Sequence, residues 1–335
     1  MKSNLSKFFK KAIAVALAFA MICTLVPAVT ETAEAKKATV VKIYTYEDLE
    51  KVNKKPGKSY KLMKDLKLEP GQVFEPLCSS TGFYGVFDGN KHSIEINYAT
   101  PYNYAGLFVA ITGGTVKNLT VTGTVSGKEF VGGIAGYANG CKIANCLNKA
   151  DVTGESRVGG LVGRFETGKI YNCLNTGKIT CSGNCCGGIA GEIYQTNGSI
   201  LNCANIGAIY GGTGYTGGIV GEADQGNVKN CVNSFKITSV SGSIGGIMGN
   251  TEYRGKVENN YFYKDESTNT YLLASGKNST TFDANLKLKK SIKVNGKKYT
   301  NVVSALNAWA EYKTSSSQKF KSFTNDKVLV KVRTQ

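Results

Sequence analysis

Residues 157–180 read RVGGLVGRFETGKIYNCLNTGKIT, and the fold follows from how this stretch repeats. A Gly-Gly pair, two apolar residues and a third glycine are followed by Ile170, Asn172, Cys173, Asn175 and Ile179. The glycine run returns as Gly132-Gly133-Ile134-Ala135-Gly136, Gly187-Gly188-Ile189-Ala190-Gly191, Gly217-Gly218-Ile219-Val220-Gly221 and Gly245-Gly246-Ile247-Met248-Gly249. Counted with Gly159 to Gly163, the steps are 27, 28, 30 and 28 residues. Ala105-Gly106-Leu107-Phe108 lies one period earlier as an imperfect first copy.

Two further columns keep the same step. Asparagines stand at 118, 145, 172, 202, 230 and 259, with a second set at 148, 175, 205 and 233. β-Branched residues recur as Val125, Val152, Ile179, Ile209 and Ile237. Fixed-period self-similarity of this kind marks a stacked repeat architecture, and it is read before any local element. Short β-branched segments punctuated by Gly and Asn have strand chemistry. A period near 28 residues leaves room for about three strands and three corners per coil.

One such unit cannot bury its own apolar face, so it must stack on a copy of itself. The expected fold is all-β: a parallel β-solenoid, right-handed, of about 27–30 residues per coil. Stacking places identical residues above one another. Ile and Val then fill a continuous core, and asparagines tolerate the left-handed corner conformation while bonding to the amides above and below. The asparagine and cysteine columns are therefore read as architecture, not as a sugar or metal row.

Four segments are expected: a signal peptide at 1–35, an N-terminal cap with the first coils at 36–104, the repeats at 105–263, and a basic capping segment of mixed α/β structure at 264–335. The first has basic Lys2, Lys7, Lys10 and Lys11, an apolar run, and Ala33-Glu34-Ala35 as a small-x-small cleavage signal. No second apolar span follows, so a monomeric chain that is secreted or extracellular, either free or associated with the cell wall, is expected. In the lead-in, Thr45 and Asp48 form a capping-box pattern that opens a short helix. Strand-like runs follow around Tyr60-Lys61-Leu62-Met63, Phe83 to Phe87 and Ser93 to Ile96. In the tail, Val302 to Tyr312 has helical periodicity and holds Trp309, the sole tryptophan.

The formal net charge is +17. Much of the excess lies after residue 263, where 14 basic side chains face 5 acidic ones. Lys287, Lys289, Lys290, Lys293, Lys297 and Lys298 make a patch suited to anionic wall polymer or sulfated glycan, with a merely solvated strand pair as the bland alternative. No nucleic-acid motif is present, and nucleic acid is not an expected partner.

Beyond the leader the chain has nine cysteines, an odd number that excludes complete pairing within one chain. Cys146, Cys173, Cys203 and Cys231 follow the repeat and read as small apolar core residues. The alternative is a disulfide among Cys181, Cys185 and Cys141, which are read as exposed. Zinc is disfavoured by the single His92 and by the Cys185-Cys186 pair, which lacks C-x-x-C spacing.

The glycine runs followed by the I-x-N-C-x-N pattern resemble the GLUG motif of bacterial secreted and cell-surface proteins, including regions attached to IgA-specific metallopeptidases. YTYEDL, YKLMKDLKL and YGVFDGNKHSI resemble the lead-in of such repeats, and ALNAWAEY their closing segment. The resemblance implies a β-solenoid in an extracellular setting and no defined activity. The metallopeptidases' zinc-binding H-E-x-x-H is absent, and no LPxTG-type sorting signal is present.

On these grounds no catalytic, cofactor-binding or metal-ligating residue is assigned. The expected function is a binding or adhesion scaffold for extracellular glycan, anionic cell-wall polymer or a host surface protein. Tyr194, Tyr210 and Tyr215, near irregular corners, are candidate contacts. Two alternatives are a polysaccharide hydrolase or lyase and a non-catalytic accessory of the metallopeptidase type. For the hydrolase, Glu192 and Glu222 align one coil apart, as paired carboxylates in glycoside hydrolysis require. Arg164 occupies the equivalent place one coil earlier, Asp224 lies close by, and Glu252 is displaced by two residues.

Overall fold

In the computed structural model the described residues are 39–194, 198–235, 237–250, 256–263, 280–282, 287–294 and 297–301. The expected signal peptide at 1–35, Glu252 and the segment Val302 to Tyr312 fall outside them.

The chain is a parallel β-solenoid. Four walls run its length: a nine-stranded sheet, a 14-stranded sheet and two five-stranded sheets. Pairing between coils in the repeat is parallel and in step with the sequence period. Val152 pairs with Ile179, Ile179 with Ile209, and Ile209 with Ile237. Val158, Leu161, Val162, Phe165 and Ile170 of one coil point inward and are fully buried.

Each coil is more finely divided than three strands. The coil that begins at Cys141 has five: Cys141–Ala144, Leu147–Asn148, Asp151–Gly154, Ser156–Gly159 and Val162–Phe165. Asn145 breaks the first from the second by turning left-handed, at φ 54. The glycine pair at 159–160 makes the last corner, where walls approach too closely for side chains. A Cβ on Gly160 would collide with the Gly188 carbonyl and the Asn175 amide.

The asparagines form two ladders of opposite polarity. At the left-handed corner, Asn145 donates from Nδ2 to Asn118 Oδ1 at 3.2 Å and Asn172 to Asn145 at 3.4 Å. Asn202 then donates to Asn172 at 3.2 Å and Asn230 to Asn202 at 2.7 Å. Each amide thus donates towards the N-terminal coil. In the buried ladder the direction reverses, with Asn148 donating to Asn175, Asn175 to Asn205 and Asn205 to Asn233 at 2.8, 2.8 and 2.9 Å. The local turn sets that direction, because the same Nδ2 of Asn175 also donates to the Gly177 carbonyl at 3.0 Å. The amides of this second ladder are buried, and bonds to the next coil or to their own turn satisfy them where water cannot reach.

The repeat cysteines line the same corner from inside. Cys146, Cys173, Cys203 and Cys231 are buried, and Cys146 Sγ donates to the Ala144 carbonyl at 3.3 Å. Burial pushes the Cys146, Cys173 and Cys203 thiols well above their ordinary value. Cys141, Cys181 and Cys185 are not exposed as the sequence reading has them; all three are buried free thiols. Cys141 and Cys181 stand at strand ends with their thiols in the core, whereas Cys185 lies in a left-handed corner and is covered by the Glu222 side chain it contacts.

The lead-in continues the stack. Val40–Ile43, Ser59–Leu62 and Val86–Asp88 are the first three strands of the nine-stranded sheet. The helix expected at Thr45 forms as Tyr46–Lys54 with its capping box complete, and its Leu49 and Val52 join the core. Beyond the repeats, the parallel order gives way to antiparallel pairing of Thr280–Phe282, Lys287–Val294 and Lys297–Asn301.

Candidate functional site

A second corner, just before each glycine run, gathers the polar and aromatic side chains that break the repeat. Its backbone is left-handed in four successive coils, at Tyr104, Phe130, Arg157 and Cys185, with φ of 68, 59, 54 and 61. None of these residue types suits that conformation, which costs a non-glycine residue about 1–2 kcal/mol. A facing column comes from the wall after the glycine run, where Tyr137, Arg164, Glu192 and Glu222 lie in direct register.

Between the columns the charges interlock. Glu192 Oε2 lies 3.1 Å from Arg157 Nε and 3.3 Å from Arg164 Nε. The first is a hydrogen bond; the second is an ionic contact without an aligned N–H. Arg157 also reaches Glu129 at 3.2 Å, and Arg164 has Glu166 at 3.8 Å. Burial lifts the Glu192 carboxyl above the ordinary glutamate value, against the opposing pull of Arg157 and Arg164.

Aromatic rings complete the surface. Tyr104 stacks on Phe130 with centroids 4.7 Å apart and planes at 10°, and Tyr137 meets Tyr104 edge-on at 6.4 Å. The Arg164 guanidinium sits 3.8 Å from the Tyr194 ring centroid, and Arg157 lies 5.2 Å from that of Phe130. Phe130 is buried in this stack, so the exposed Tyr104 ring, backed by it and flanked by Arg157, is the ring that can stack on a ligand beside fixed hydrogen-bonding groups.

The structure sorts the candidates named from sequence. Glu192 and Glu222 are aligned one coil apart as expected, with Arg164 in register one coil earlier. Their environments differ. Glu192 is clamped by two arginines, whereas Glu222 Oε2 accepts from the Cys185 thiol at 2.8 Å. Burial and then the Glu222 contact raise the Cys185 thiol far above its ordinary value, so it is not a poised nucleophile.

Tyr194 belongs to the cluster, and Tyr215 follows Cys185 in the corner column, since Cys186 pairs with Thr216. Tyr210 lies elsewhere, exposed on the 14-stranded sheet between Thr180 and Thr238. Sequence reasoning missed Phe130, Arg157, Tyr104 and Tyr137. The available signal was that the place two residues before each glycine run holds Tyr, Phe, Arg, Cys, Tyr and Ser in turn, where other columns repeat one residue type. Among the described residues, no group of three or more His, Cys, Asp or Glu side chains is placed to hold a metal ion, and no helix is long and apolar enough to cross a membrane.

The GLUG motif matches this chain at residues 154–180 and 212–238, which are two of the coils described above. A Bacteroides ovatus protein, provisionally assigned as an immunoglobulin A1 protease, has a similar structure. The TM-score is 0.63 at 20% identity, over 89% of this chain and 93% of that one. A second solved structure, an IgA1 protease, matches with a TM-score of 0.57 at 17% identity over 91% of this chain. Here the chain spans only 26% of the other protein's length. At these identities the likeness concerns the fold. No curated protein matches the sequence.

Proposed function

We propose, from the GLUG repeats and the mixed corner, that this chain is a secreted or cell-surface binding scaffold without catalytic activity. Its corner surface engages an extracellular glycan. The observation that carries this reading is the strained column itself. Tyr104, Phe130 and Arg157 are held in a conformation unsuited to them; Tyr104 presents an exposed ring and Arg157 a cation, and the buried Phe130 between them supports both. Retained strain of this kind clusters at ligand sites.

The carboxylates support binding over hydrolysis. A glycosidase needs one carboxyl as a proton donor and the other as a nucleophile or base. Glu192 is engaged by Arg157 and Arg164, and Glu222 by Cys185. Both act as fixed partners for neighbouring groups.

A glycan array carrying neutral and acidic sugars tests the reading, with Tyr104→Ala and Tyr194→Ala as variants. Binding by the wild-type protein that falls about tenfold or more in both variants is expected, taking a sugar face stacked on an aromatic ring to contribute on the same order as other ring-stacking contacts, about 1–3 kcal/mol. Cleavage of any polymer by the wild type, lost in Glu192→Gln or Glu222→Gln, would replace the scaffold by an enzyme. The match to part of an IgA1 protease favours a second reading, a non-catalytic region that docks a host protein. Immunoglobulin A and mucin therefore belong on the same panel; binding to them with no glycan bound would select it.

A further inference from the structure

The nine-stranded sheet turns Val116, Ile143, Ile170 and Ile200 inward in register. The alternate residues face outward. Seven of the nine strands carry a lysine there. Lys117 is paired with Asp88 at 3.4 Å and Lys229 with Glu258 at 3.0 Å. The other five, Lys42, Lys61, Lys142, Lys169 and Lys256, have no ion-pair partner among the described residues, and all but the half-buried Lys61 are exposed. Asp88 and Glu258 are the only acids on this outward face, and each is taken by its own lysine.

Lys142 and Lys169 are direct register partners in adjacent strands. Like charges directly opposite each other on a sheet destabilise it, and here no carboxylate stands between them. From Lys42 to Lys256 the face covers eight strand steps, roughly 38 Å at about 4.8 Å each. The register sets Lys42, Lys61, Lys117 and Lys229 in one outward column and Lys142, Lys169 and Lys256 in the next, so the result is a flat stripe of positive charge two columns wide along the stacking axis, its members separated by whole multiples of the coil step.

We propose that this stripe binds a linear sulfated polysaccharide lying along the solenoid axis. Three features choose that occupant. Lysine is a compact point charge without arginine's bidentate fork, and arginine, the preferred group for phosphate and nucleic-acid recognition, is absent from the outward face. Tyr171 is the one aromatic residue on the face, so successive bases of a single strand have no stacking platform. Of the outward apolar residues only Val40 and Val86 are exposed, on strands that are not adjacent, which is too little apolar surface to insert into a lipid surface. What remains is a row of charges matched to anionic groups repeated along a stiff polymer.

The proposal does not depend on the corner reading. It is tested by binding of the purified protein to heparin over a range of salt, comparing the wild type with Lys142→Gln/Lys169→Gln/Lys256→Gln. Exposed Lys128, Lys149 and Lys178, which lie off this sheet, are changed to Gln in a control triple of equal charge. The stripe variant is expected to bind heparin about tenfold or more weakly with a shallower salt dependence, because fewer counterions are released. The control is expected to change less than about twofold. Unchanged thermal unfolding shows that both variants fold, and unchanged neutral-glycan binding in the stripe variant separates this result from the corner. Equal losses in the two triples would reduce the effect to net charge and overturn the proposal. So would a wild type that ignores heparin, or one that prefers polyphosphate, DNA or anionic vesicles.

Discussion

Two corners of the coil share one backbone conformation and differ in everything else. At one, six asparagines hold φ of 53–55, in the residue type that tolerates the left-handed region best after glycine. At the other, Tyr104, Phe130, Arg157 and Cys185 hold φ of 54–68. The first corner is built at little strain, and its side chains bond to copies of themselves. The second keeps strain in four consecutive coils, and its side chains bond to unlike partners across two walls. In the next coil, Tyr215 is no longer left-handed. The strain therefore ends where the interlocked cluster ends, which ties the unusual backbone to the side chains it presents.

The comparison can be broken first on the asparagine side. Asn175 is buried and makes two ladder bonds and one turn bond, so Asn175→Ala leaves the Gly177 carbonyl and the amides of Asn148 and Asn205 short of partners. A loss of about 2–4 kcal/mol is expected in chemical denaturation. A loss below about 1 kcal/mol would show that the ladder is decorative.

Next comes the contrast between the corners. Asn172→Ala places a residue ill-suited to φ 55 in the chain and removes two ladder bonds, with an expected loss of about 1–2 kcal/mol. Arg157→Asn does the reverse. It relieves the left-handed strain while deleting the contacts to Glu129 and Glu192. Stability is expected to change by less than about 1 kcal/mol while glycan binding falls. If Arg157→Asn unfolds the protein as readily as Asn172→Ala does, the two corners are alike and the functional argument for the second fails.

The two corners also differ in how far the sequence discloses them. A column of one residue type shows itself because stacking selects the same side chain in every coil, so Asn172, Cys173 and Ile179 pointed to a solenoid directly. The mixed corner has no such column. Arg157 and Glu192 are 35 residues apart, in neighbouring coils and on different walls, and only the register brings them together. Glu192 and Glu222 could be aligned from the repeat, but the arginine clamp and the Cys185 contact could not. The same limit misplaced Cys141, Cys181 and Cys185. A cysteine outside the main column looks exposed in sequence, yet a strand end can direct it into the core and a neighbouring side chain can cover it. The lysine stripe was hidden for a simpler reason: its members alternate with core residues on strands of three or four residues, too short for an alternating pattern to register.

The smallest effect separates the corners by pH. Burial holds the Glu192 carboxyl above its ordinary value despite Arg157 and Arg164. In the interval between the unfolded value, about 4.3, and the raised folded value, the native state holds more of this proton than the unfolded chain. Stability from this group must then decline as pH rises through that interval, and it is fully present below it. Neutral asparagines give the other corner no such slope. Denaturation followed across the interval should show the wild type losing stability relative to Glu192→Gln as pH climbs. Parallel curves for the two proteins would mean that the arginine clamp fully offsets burial, leaving the second corner as neutral in its energetics as the first.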